Sequence, residues 1–331
     1  VPVEMSDLFT IYVAPTSGAQ GSTGPTTALS AMDDKLIVFK RDSIYYITGS
    51  GPDNTGSSND FSDPIYVTSS VGCSNPSSIV LMPSGIMFQS DKGIWLLGRD
   101  LTTNYIGAAV EAYNSNVVES AIAIPGTNQV RFILNSGITL MYDYYFEQWG
   151  TFSNIYAISA TLYNGAHTYL NKFGVVYQET PQTYLDGSTP VLMSFQTSWI
   201  NLTGIQGFQR FYFMYLLGTY YTPYTLNVQL AYNYSLGASQ SVIVKPDNYS
   251  PNWGGDPVWG SSTPWGGPGN VFEARVFPET QKCETFQVTV NELYDPSLGV
   301  ASGQGLTLSG LNLVVGAKKG YRVQSAGKSF G

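Results

Sequence analysis

The segment GIMFQSDKGIWLL, from Gly85 to Leu97, places an apolar run on each side of a short polar turn. Each run has the length of a β-strand, and an Asp-Lys-Gly turn supplies the positive φ angle that a tight hairpin needs. Similar segments occur at residues 36–47, 130–142 and 167–177, of which the last has the weakest pattern. The sequence therefore predicts a series of β-hairpins in the first half of an all-β chain.

The spacing of these hairpins indicates a repeated unit. Their turn centres recur about every 36 to 50 residues, close to the 40 to 50 residue period of β-propeller blades. Further apolar segments at residues 64–67 and 120–124 would complete four-stranded blades. We predict propeller-like blades over residues 1–190, with the hairpins of an ordinary β-sandwich as the alternative. Because the sequence starts at Val1 without methionine, we expect a processed chain or a piece of a longer one, in which the propeller can be incomplete.

After Pro190 the predicted strands become longer and more aromatic. Apolar and polar residues alternate in segments such as 227–232, a pattern typical of strands with one buried face. A series of such strands favours an antiparallel β-sandwich, which we predict for residues 191–320. The polar residues 321–331 are expected to form a C-terminal tail that is mobile or ordered only by a partner. The predicted sandwich strands cover residues 191–199, 208–219, 225–234, 241–245, 271–277, 283–292 and 306–315.

The composition favours strands and burial within an assembly. Aromatic residues make up 14% of the 331 residues, and flat side chains suit a pleated sheet. Charged residues make up only 11%, against about 25% in typical soluble domains, so we expect extensive contact with other subunits. The net charge of −8 disfavours a surface that grips nucleic acid, because such a surface must neutralise phosphates. A channel wall along which DNA slides is compatible with this charge.

Few residues are suited to catalysis. The sequence contains one histidine, His167, so a nucleophile–histidine relay would depend on it alone, and we expect a strand histidine at a surface or an interface. One histidine and two distant cysteines cannot supply a zinc or non-haem iron site. Cys73 and Cys283 are predicted to be buried free thiols, and no apolar run has the length of a membrane helix. We predict a protein that is not an enzyme, binds no cofactor or metal and does not span a membrane.

The most unusual segment, residues 252–269, carries three Trp-Gly pairs spaced six residues apart. A large apolar side chain left in water forgoes roughly 1.5 to 3 kcal/mol, and tryptophan is enriched at protein interfaces. We interpret the segment as a subunit interface; a loop folded back on its own sandwich and a platform that stacks on sugars are the alternatives. The candidate interface residues are Trp253, Trp259, Trp265, Lys318, Lys319 and Arg322.

Several stretches resemble the tail-nozzle proteins of short-tailed bacteriophages, which are also called packaged-DNA-stabilisation proteins. The resemblance covers about residues 30–320, although family members are generally longer than this chain. It is carried by the Trp-Gly segment and by DDKLIVFKRDSIYYITG at 33–49, GIMFQSDKGIWLL at 85–97, GIQGFQR at 204–210 and LTLSGLNLVVGAKKG at 306–320.

The resemblance implies a β-propeller protein assembled as a homo-oligomeric ring, for which six-fold symmetry is expected. Such a ring extends the tail below the portal and adaptor, and it docks fibres or spikes. It retains the packaged genome and gives double-stranded DNA a channel for ejection, without sequence-specific binding. The resemblance further implies a place in the virion tail after assembly in the cytoplasm of a bacterial host.

Two other functions are compatible with the sequence. A carbohydrate-binding receptor-recognition protein would use the Trp-Gly segment as a stacking platform. A glycosidase built on a propeller would need two carboxylates about 5 to 9.5 Å apart in a cleft. The structural tail component is our main hypothesis, because it accounts for the repeated hairpins, the lack of a catalytic constellation and the family-like stretches.

Overall fold

The computed structural model describes residues 24–51, 60–68, 70–180, 183–202, 207–219, 224–245, 271–298 and 305–321. The predicted all-β class is confirmed, since strands make up 59% of the structure and helices 5%. The chain divides into two compact units, Val1–Thr180 and Pro181–Gly331. The boundary predicted from the sequence, after Pro190, falls inside the second unit.

In its described residues, the first unit contains four antiparallel sheets that follow one another along the chain. In each sheet, consecutive strands lie side by side in chain order. The first sheet contains β1 Ala28–Met32, β2 Lys35–Phe39, β3 Ile44–Thr48 and β4 Ile65–Thr68. The second contains β5 Asn75–Met82, β6 Gly85–Ser90, β7 Gly93–Gly98 and β8 Thr103–Tyr105. The third contains β9 Val118–Ile124, β10 Gln129–Leu134, β11 Thr139–Asp143 and β12 Gln148–Phe152, and the fourth contains β13 Ala157–Tyr163, β14 Ala166–Asn171 and β15 Val176–Gln178. Short 3-10 helices cover Gly107–Tyr113 and Pro125–Thr127.

The first strands of successive sheets lie next to one another. Strand β1 contacts β5, β5 contacts β9, and β9 contacts β13. Consecutive meander sheets joined in this way have the arrangement of neighbouring propeller blades. The blade-like arrangement is therefore present in the first unit, while the closure of these blades into a propeller stays a prediction.

Glycine at two of the hairpin turns explains why the predicted hairpins form. Gly93, the first residue of β7, has a φ angle of 100°, and Gly137, between β10 and β11, has a φ angle of 83°. Side chains with a Cβ atom rarely adopt these angles, whereas glycine adopts them at little cost. The Asp-Lys-Gly and Asn-Ser-Gly turns predicted from the sequence are confirmed.

The cores of the first unit form between adjacent sheets. Phe88 on β6 packs against Phe39 of the first sheet, with ring centroids 5.1 Å apart. The neighbouring residue Met87 belongs to the core that contains Phe132 of the third sheet. Because successive strand residues point to opposite faces, β6 is buried on both sides, as expected for a blade between two others.

Over the residues that the structure describes, the second unit is a sandwich of two four-stranded antiparallel sheets. The β20 sheet has the order β18-β24-β20-β21, and in the β19 sheet β22 and β23 pair with β19, as does β25. Its short strands β16 Leu185–Asp186 and β17 Thr189–Pro190 pair with each other, and a 3-10 helix covers Pro296–Leu298. The sandwich strands are β18 Ser194–Gln196, β19 Gly207–Thr219, β20 Tyr224–Tyr232, β21 Gln240–Val244, β22 Val271–Val276, β23 Lys282–Cys283, β24 Phe286–Tyr294 and β25 Thr307–Tyr321. The core lies between the sheets, where Phe211 stacks on Phe286 with ring centroids 4.3 Å apart.

Two of the predicted sandwich strands differ from the structure. Residues 191–199 contribute only the three residues of β18. Residues 283–292 do not form one strand, because β23 pairs with β19 whereas β24 pairs with β20. Cys283 and Phe286 are both buried in the core, yet an odd spacing would place them on opposite faces of a continuous strand. A break between them lets both side chains point inward.

Candidate functional site

Most of the predicted interface residues lie outside the described part of the chain. Lys318 and Lys319 belong to β25, but their side chains are not among those that the structure describes. Trp253, Trp259, Trp265 and Arg322 lie outside the described residues. Their assignment to an interface stays a prediction, and the candidate surfaces below come from other residues.

The fourth sheet exposes a group of apolar side chains. The register pairs Leu170 with both Ser159 and Val176, so these residues share one face of the sheet. The side chain of Val176 is 65% exposed on this face. Large apolar side chains of the same strands and of the β14–β15 turn are also exposed. We call the exposed apolar side chains of this face and of the turn the fourth-sheet patch; it contains Tyr163, Phe173 and Val176. Tyr177 pairs with Tyr169 and so lies on the other face, with His167.

The opposite face of the fourth sheet is held to the third sheet by a buried cationic cluster. Arg131 on β10 donates a hydrogen bond of 3.2 Å from Nη1 to Nδ1 of His167 on β14. The same guanidinium pairs with the carboxylate of Glu179 at 3.1 Å. It also donates from Nη2 to Oε1 of Gln129 at 2.9 Å, and it lies 4.9 Å from the ring centroid of Phe152. This Arg131 cluster joins the two sheets through charge, hydrogen bonds and stacking.

His167 is neutral in this environment. Its side chain is only 2% exposed, so the predicted surface position is wrong. Burial, and next the charge of Arg131, lower the pKa of His167 to about 4, against a smaller opposing effect of Glu179. A guanidinium can only donate, so Nδ1 accepts and the ring proton is on Nε2. That buried Nε2 has no hydrogen-bond partner among the described residues.

The outer face of the β19 sheet is aromatic, and three of its rings surround Arg275. Arg275 on β22 lies over three rings, with its Cζ atom 3.9 Å from the centroid of Phe213, 4.7 Å from Phe277 and 5.5 Å from Tyr215. Phe277 is 56% exposed. Stacking of this kind is favourable even at exposed sites, and arginine and aromatic residues are enriched at protein interfaces. This Arg275 face is the second candidate interaction surface.

The outer face of the β20 sheet has a different chemistry. Its polar side chains bond to one another across neighbouring strands. Ser241 donates to Asn227 at 2.7 Å, and Gln196 donates to Thr289 at 3.0 Å. These polar groups therefore satisfy one another within the sheet, although Ile243, which pairs with Asn227 on the same face, is 51% exposed.

A buried carboxylate links two segments at the edge of the sandwich. Glu292 on β24 is 4% exposed and accepts hydrogen bonds from the backbone N–H groups of Met193, at 3.1 Å, and Leu306, at 2.9 Å. Burial raises the pKa of Glu292 against the opposing effect of these bonds. The position of this group indicates a structural role, because both oxygens are engaged with the backbone.

Reactive groups are few in the described part of the chain. Cys73 and Cys283 are buried and free, as predicted, and burial raises the pKa of Cys283 to about 11. Its thiol is therefore protonated at neutral pH. No group of three or more metal-binding side chains occurs among the described residues. Within those same residues, no helix has the length and apolar character required to cross a membrane.

The two surfaces were not identified from the sequence. The run Phe173-Gly174-Val175-Val176-Tyr177 carries apolar residues at adjacent positions, which in a hairpin must occupy both faces. That pattern could have indicated that one face of this sheet exposes apolar side chains that no other part of the chain covers. The Arg275 face gave no such signal, because its residues come from different strands.

Comparisons with known proteins identify no family for this chain. No family model matches it, and no curated protein matches it. One similar solved structure is the extracellular domain of a candidate one-component system from B. thetaiotaomicron, with 11% sequence identity and a TM-score of 0.33. The match covers 68% of this chain and 36% of that chain, so this chain spans little more than a third of the other. A structural similarity this weak supports no conclusion about this chain, and the resemblance to tail-nozzle proteins stays a prediction.

Proposed function

We propose that the chain is a non-enzymatic structural protein of a short phage tail, which assembles with copies of itself into a ring-shaped nozzle. The ring retains packaged DNA and gives it a channel for ejection. The sequence resemblance implies that its partners in the tail are the portal or adaptor protein and the fibre or spike proteins. The exposed fourth-sheet patch is the structural observation that supports assembly.

The patch supports assembly because one face of the fourth sheet lacks the cover that the second sheet has on both faces. The second sheet is covered on both faces by its neighbours, as Phe88 and Met87 show. The fourth sheet is covered through His167 on one face, and it exposes Val176 on the other. Contiguous exposed apolar patches mark interaction sites, whereas scattered apolar residues do not. We propose that a second copy of the chain covers this face.

The charge of the chain supports the conduit part of the proposal. A net charge of −8 would repel DNA from a channel wall and so favour sliding over binding. Docking to portal, adaptor, fibre or spike proteins rests on the sequence resemblance, with the Arg275 face as one surface that suits such a partner.

Electron microscopy and mass photometry of the purified chain test the proposal directly. We expect closed rings for the wild type and loss of rings for the double variant Phe173→Asp with Val176→Lys, because charges on the patch would oppose its burial. Leu236→Lys is the matched control, since Leu236 is a fully exposed apolar residue of the β20–β21 turn, outside the patch. A wild-type chain that stays monomeric at high concentration would contradict the proposal, as would rings that persist in the double variant.

A further inference from the structure

A shallow cleft of about 260 Å³ lies beside the second sheet, apart from the surfaces described above. It is slightly smaller than the pockets of about 300 to 1,000 Å³ that hold drug-sized ligands, so it suits a ligand of about one ring. Its lining comes from the β6–β7 turn, from β7, from β8 and from the 3-10 helix with the residue that follows it. The lining residues are Asp91, Lys92, Trp95, Tyr105, Glu111 and Asn114.

Two aromatic rings form an angled wall of the cleft. Trp95 and Tyr105 are paired across β7 and β8, with ring centroids 5.2 Å apart and planes inclined at 46°. The Tyr105 hydroxyl donates to Oε1 of Glu111 at 2.9 Å. This bond fixes the ring against the helix, so the aromatic wall is formed before any ligand binds.

The lack of a side chain at Gly93 allows the aromatic wall to contact the hairpin turn. A Cβ atom at this position would lie 2.7 Å from Nδ2 of Asn114 and 3.0 Å from the ring of Tyr105. Real Cβ atoms do not approach other atoms so closely, and a φ angle of 100° also favours glycine here. The turn, the amide and the ring are in contact only because residue 93 has no side chain.

The polar groups around the wall keep unused hydrogen-bonding capacity. Asp91 accepts through Oδ2 from Nε of Arg41 at 2.7 Å, and Lys92 donates to the carbonyl oxygen of Ser70 at 2.6 Å. A carboxylate has about four acceptor positions and an ammonium has three donors. In the described part of the chain these bonds occupy only one position of each group, so both can bond to a ligand.

The mixture of charges selects among ligand classes. A cation would approach the carboxylates of Asp91 and Glu111 but also the ammonium of Lys92, and an anion would meet both carboxylates. A neutral ligand with several hydroxyl groups both donates and accepts, and it can use all three groups at once. The C–H face of a sugar ring also provides the apolar surface that Trp95 and Tyr105 can cover. We infer that this cleft binds a neutral saccharide through one sugar ring.

Saturation-transfer NMR on the full chain tests this inference. The probes are the methyl glycosides of glucose, galactose and N-acetylglucosamine, with tetramethylammonium and inorganic phosphate as charged probes. We expect saturation transfer to the ring protons of at least one glycoside. We expect affinity to fall about tenfold in Tyr105→Ala and roughly three- to tenfold in Glu111→Gln, as for the loss of a stacking ring or of one hydrogen bond.

Matched controls come from the β11–β12 turn of the third sheet. Tyr145→Ala and Glu147→Gln make the same chemical changes at exposed residues outside the cleft, and we expect them to leave binding unchanged. Tyr105→Phe keeps the ring without its hydroxyl, so it should bind the glycoside better than Tyr105→Ala does. Binding by this variant would show that the loss of affinity in Tyr105→Ala is not caused by misfolding. Ring assembly should be unchanged in all these variants, which separates the cleft from the proposed nozzle function.

Three results would overturn the inference. The first is an absence of saturation transfer to all three glycosides at millimolar concentration. The second is an equal change of glycoside affinity in the two cleft variants and in their two control variants. The third is tighter binding of tetramethylammonium or phosphate than of any glycoside, which would show that the cleft selects charge.

Discussion

The fourth sheet of the first unit and the β20 sheet of the sandwich each turn one face away from their cores, and the two faces differ in how their polar and apolar side chains are used. On the β20 sheet, Asn227 and Thr289 accept hydrogen bonds from neighbouring strands. On the fourth sheet, the apolar side chains of Val176 and Phe173 are exposed, and Gln178 of the same face donates to the carbonyl oxygen of Tyr163. The polar groups of the first face are satisfied by one another within the monomer, whereas the second face exposes Val176 and offers an apolar surface for the proposed self-association.

The two units also hold their sheets together differently. The sandwich core is apolar, and Phe211 and Phe286 stack directly between its sheets. The contact between the third and fourth sheets contains the Arg131 cluster, in which charge and stacking are combined. We therefore expect the fourth sheet to be sensitive to charge and pH in a way that the apolar part of the sandwich is not.

The largest expected effect is that of Arg131→Ala. Removing this buried cation leaves Nδ1 of His167 and Oε1 of Gln129 without their donor. Each buried acceptor left without its donor costs about 1 to 3 kcal/mol, so we expect a loss of about 3 kcal/mol, whereas Glu179 is half exposed and stays solvated. Urea denaturation of the full chain measures the change in the free energy of unfolding.

Arg99→Ala is the matched control for this prediction. Arg99 pairs with Asp33 at the surface, and surface pairs contribute about 0 to 1 kcal/mol. If Arg99→Ala lowered the free energy of unfolding as much as Arg131→Ala does, the Arg131 cluster would have no special role in holding the fourth sheet.

Acidification should destabilise the first unit through His167. The folded-state pKa of about 4 lies below the unfolded value of about 6.5, so between these values the unfolded chain binds more protons. Stability from the neutral ring is therefore complete above pH 6.5 and falls as the pH decreases towards 4. We expect a loss of about 2 kcal/mol between pH 7 and pH 5, measured by hydrogen exchange of β14 amides.

The variant His167→Leu isolates this titration. Leucine cannot be protonated, so the slope of stability against pH between 5 and 7 should become smaller, whatever the absolute stability of the variant. An unchanged slope would show that another group is responsible for the acid sensitivity.

The sandwich should depend on Glu292 to a smaller extent. In Glu292→Gln one oxygen is replaced by an NH₂ group, which faces a backbone N–H of Met193 or Leu306 instead of accepting from it. Leaving one buried donor unsatisfied costs about 1 to 3 kcal/mol. Thermal unfolding should show this loss, whereas Glu273→Gln, at an exposed position on β22, should change stability by less than about 0.5 kcal/mol.

Local chemistry explains which parts of the fold were predictable. The glycines at positions 93 and 137 and the apolar runs beside them determine hairpins without reference to the rest of the chain. The break between Cys283 and Phe286 was not predictable, because it depends on two sheets competing for adjacent residues.

The candidate surfaces depend even more on tertiary contacts. Buried His167 accepts its hydrogen bond from Arg131, which lies 36 residues earlier in the chain, and no local pattern relates the two. Likewise, the exposure of Val176 is a consequence of which sheets pack beside the fourth sheet. Sequence patterns identify apolar residues, but the packing of neighbouring sheets determines which of them stay exposed and can contact a partner.

The smallest effects on folding should come from exchanging the chemistry of the two contrasted faces. Val176→Thr makes the fourth-sheet patch more polar, and Thr289→Val makes the β20 face more apolar while removing the acceptor for Gln196. Both side chains keep their shape and lie at the surface, so each change should alter the free energy of unfolding by less than about 1 kcal/mol. Self-association, measured by analytical ultracentrifugation, should nevertheless weaken for Val176→Thr and stay the same or strengthen for Thr289→Val. Equal association constants for both variants and the wild type would mean that the exposed patch is an ordinary surface and that the contrast between the two faces has no role in assembly.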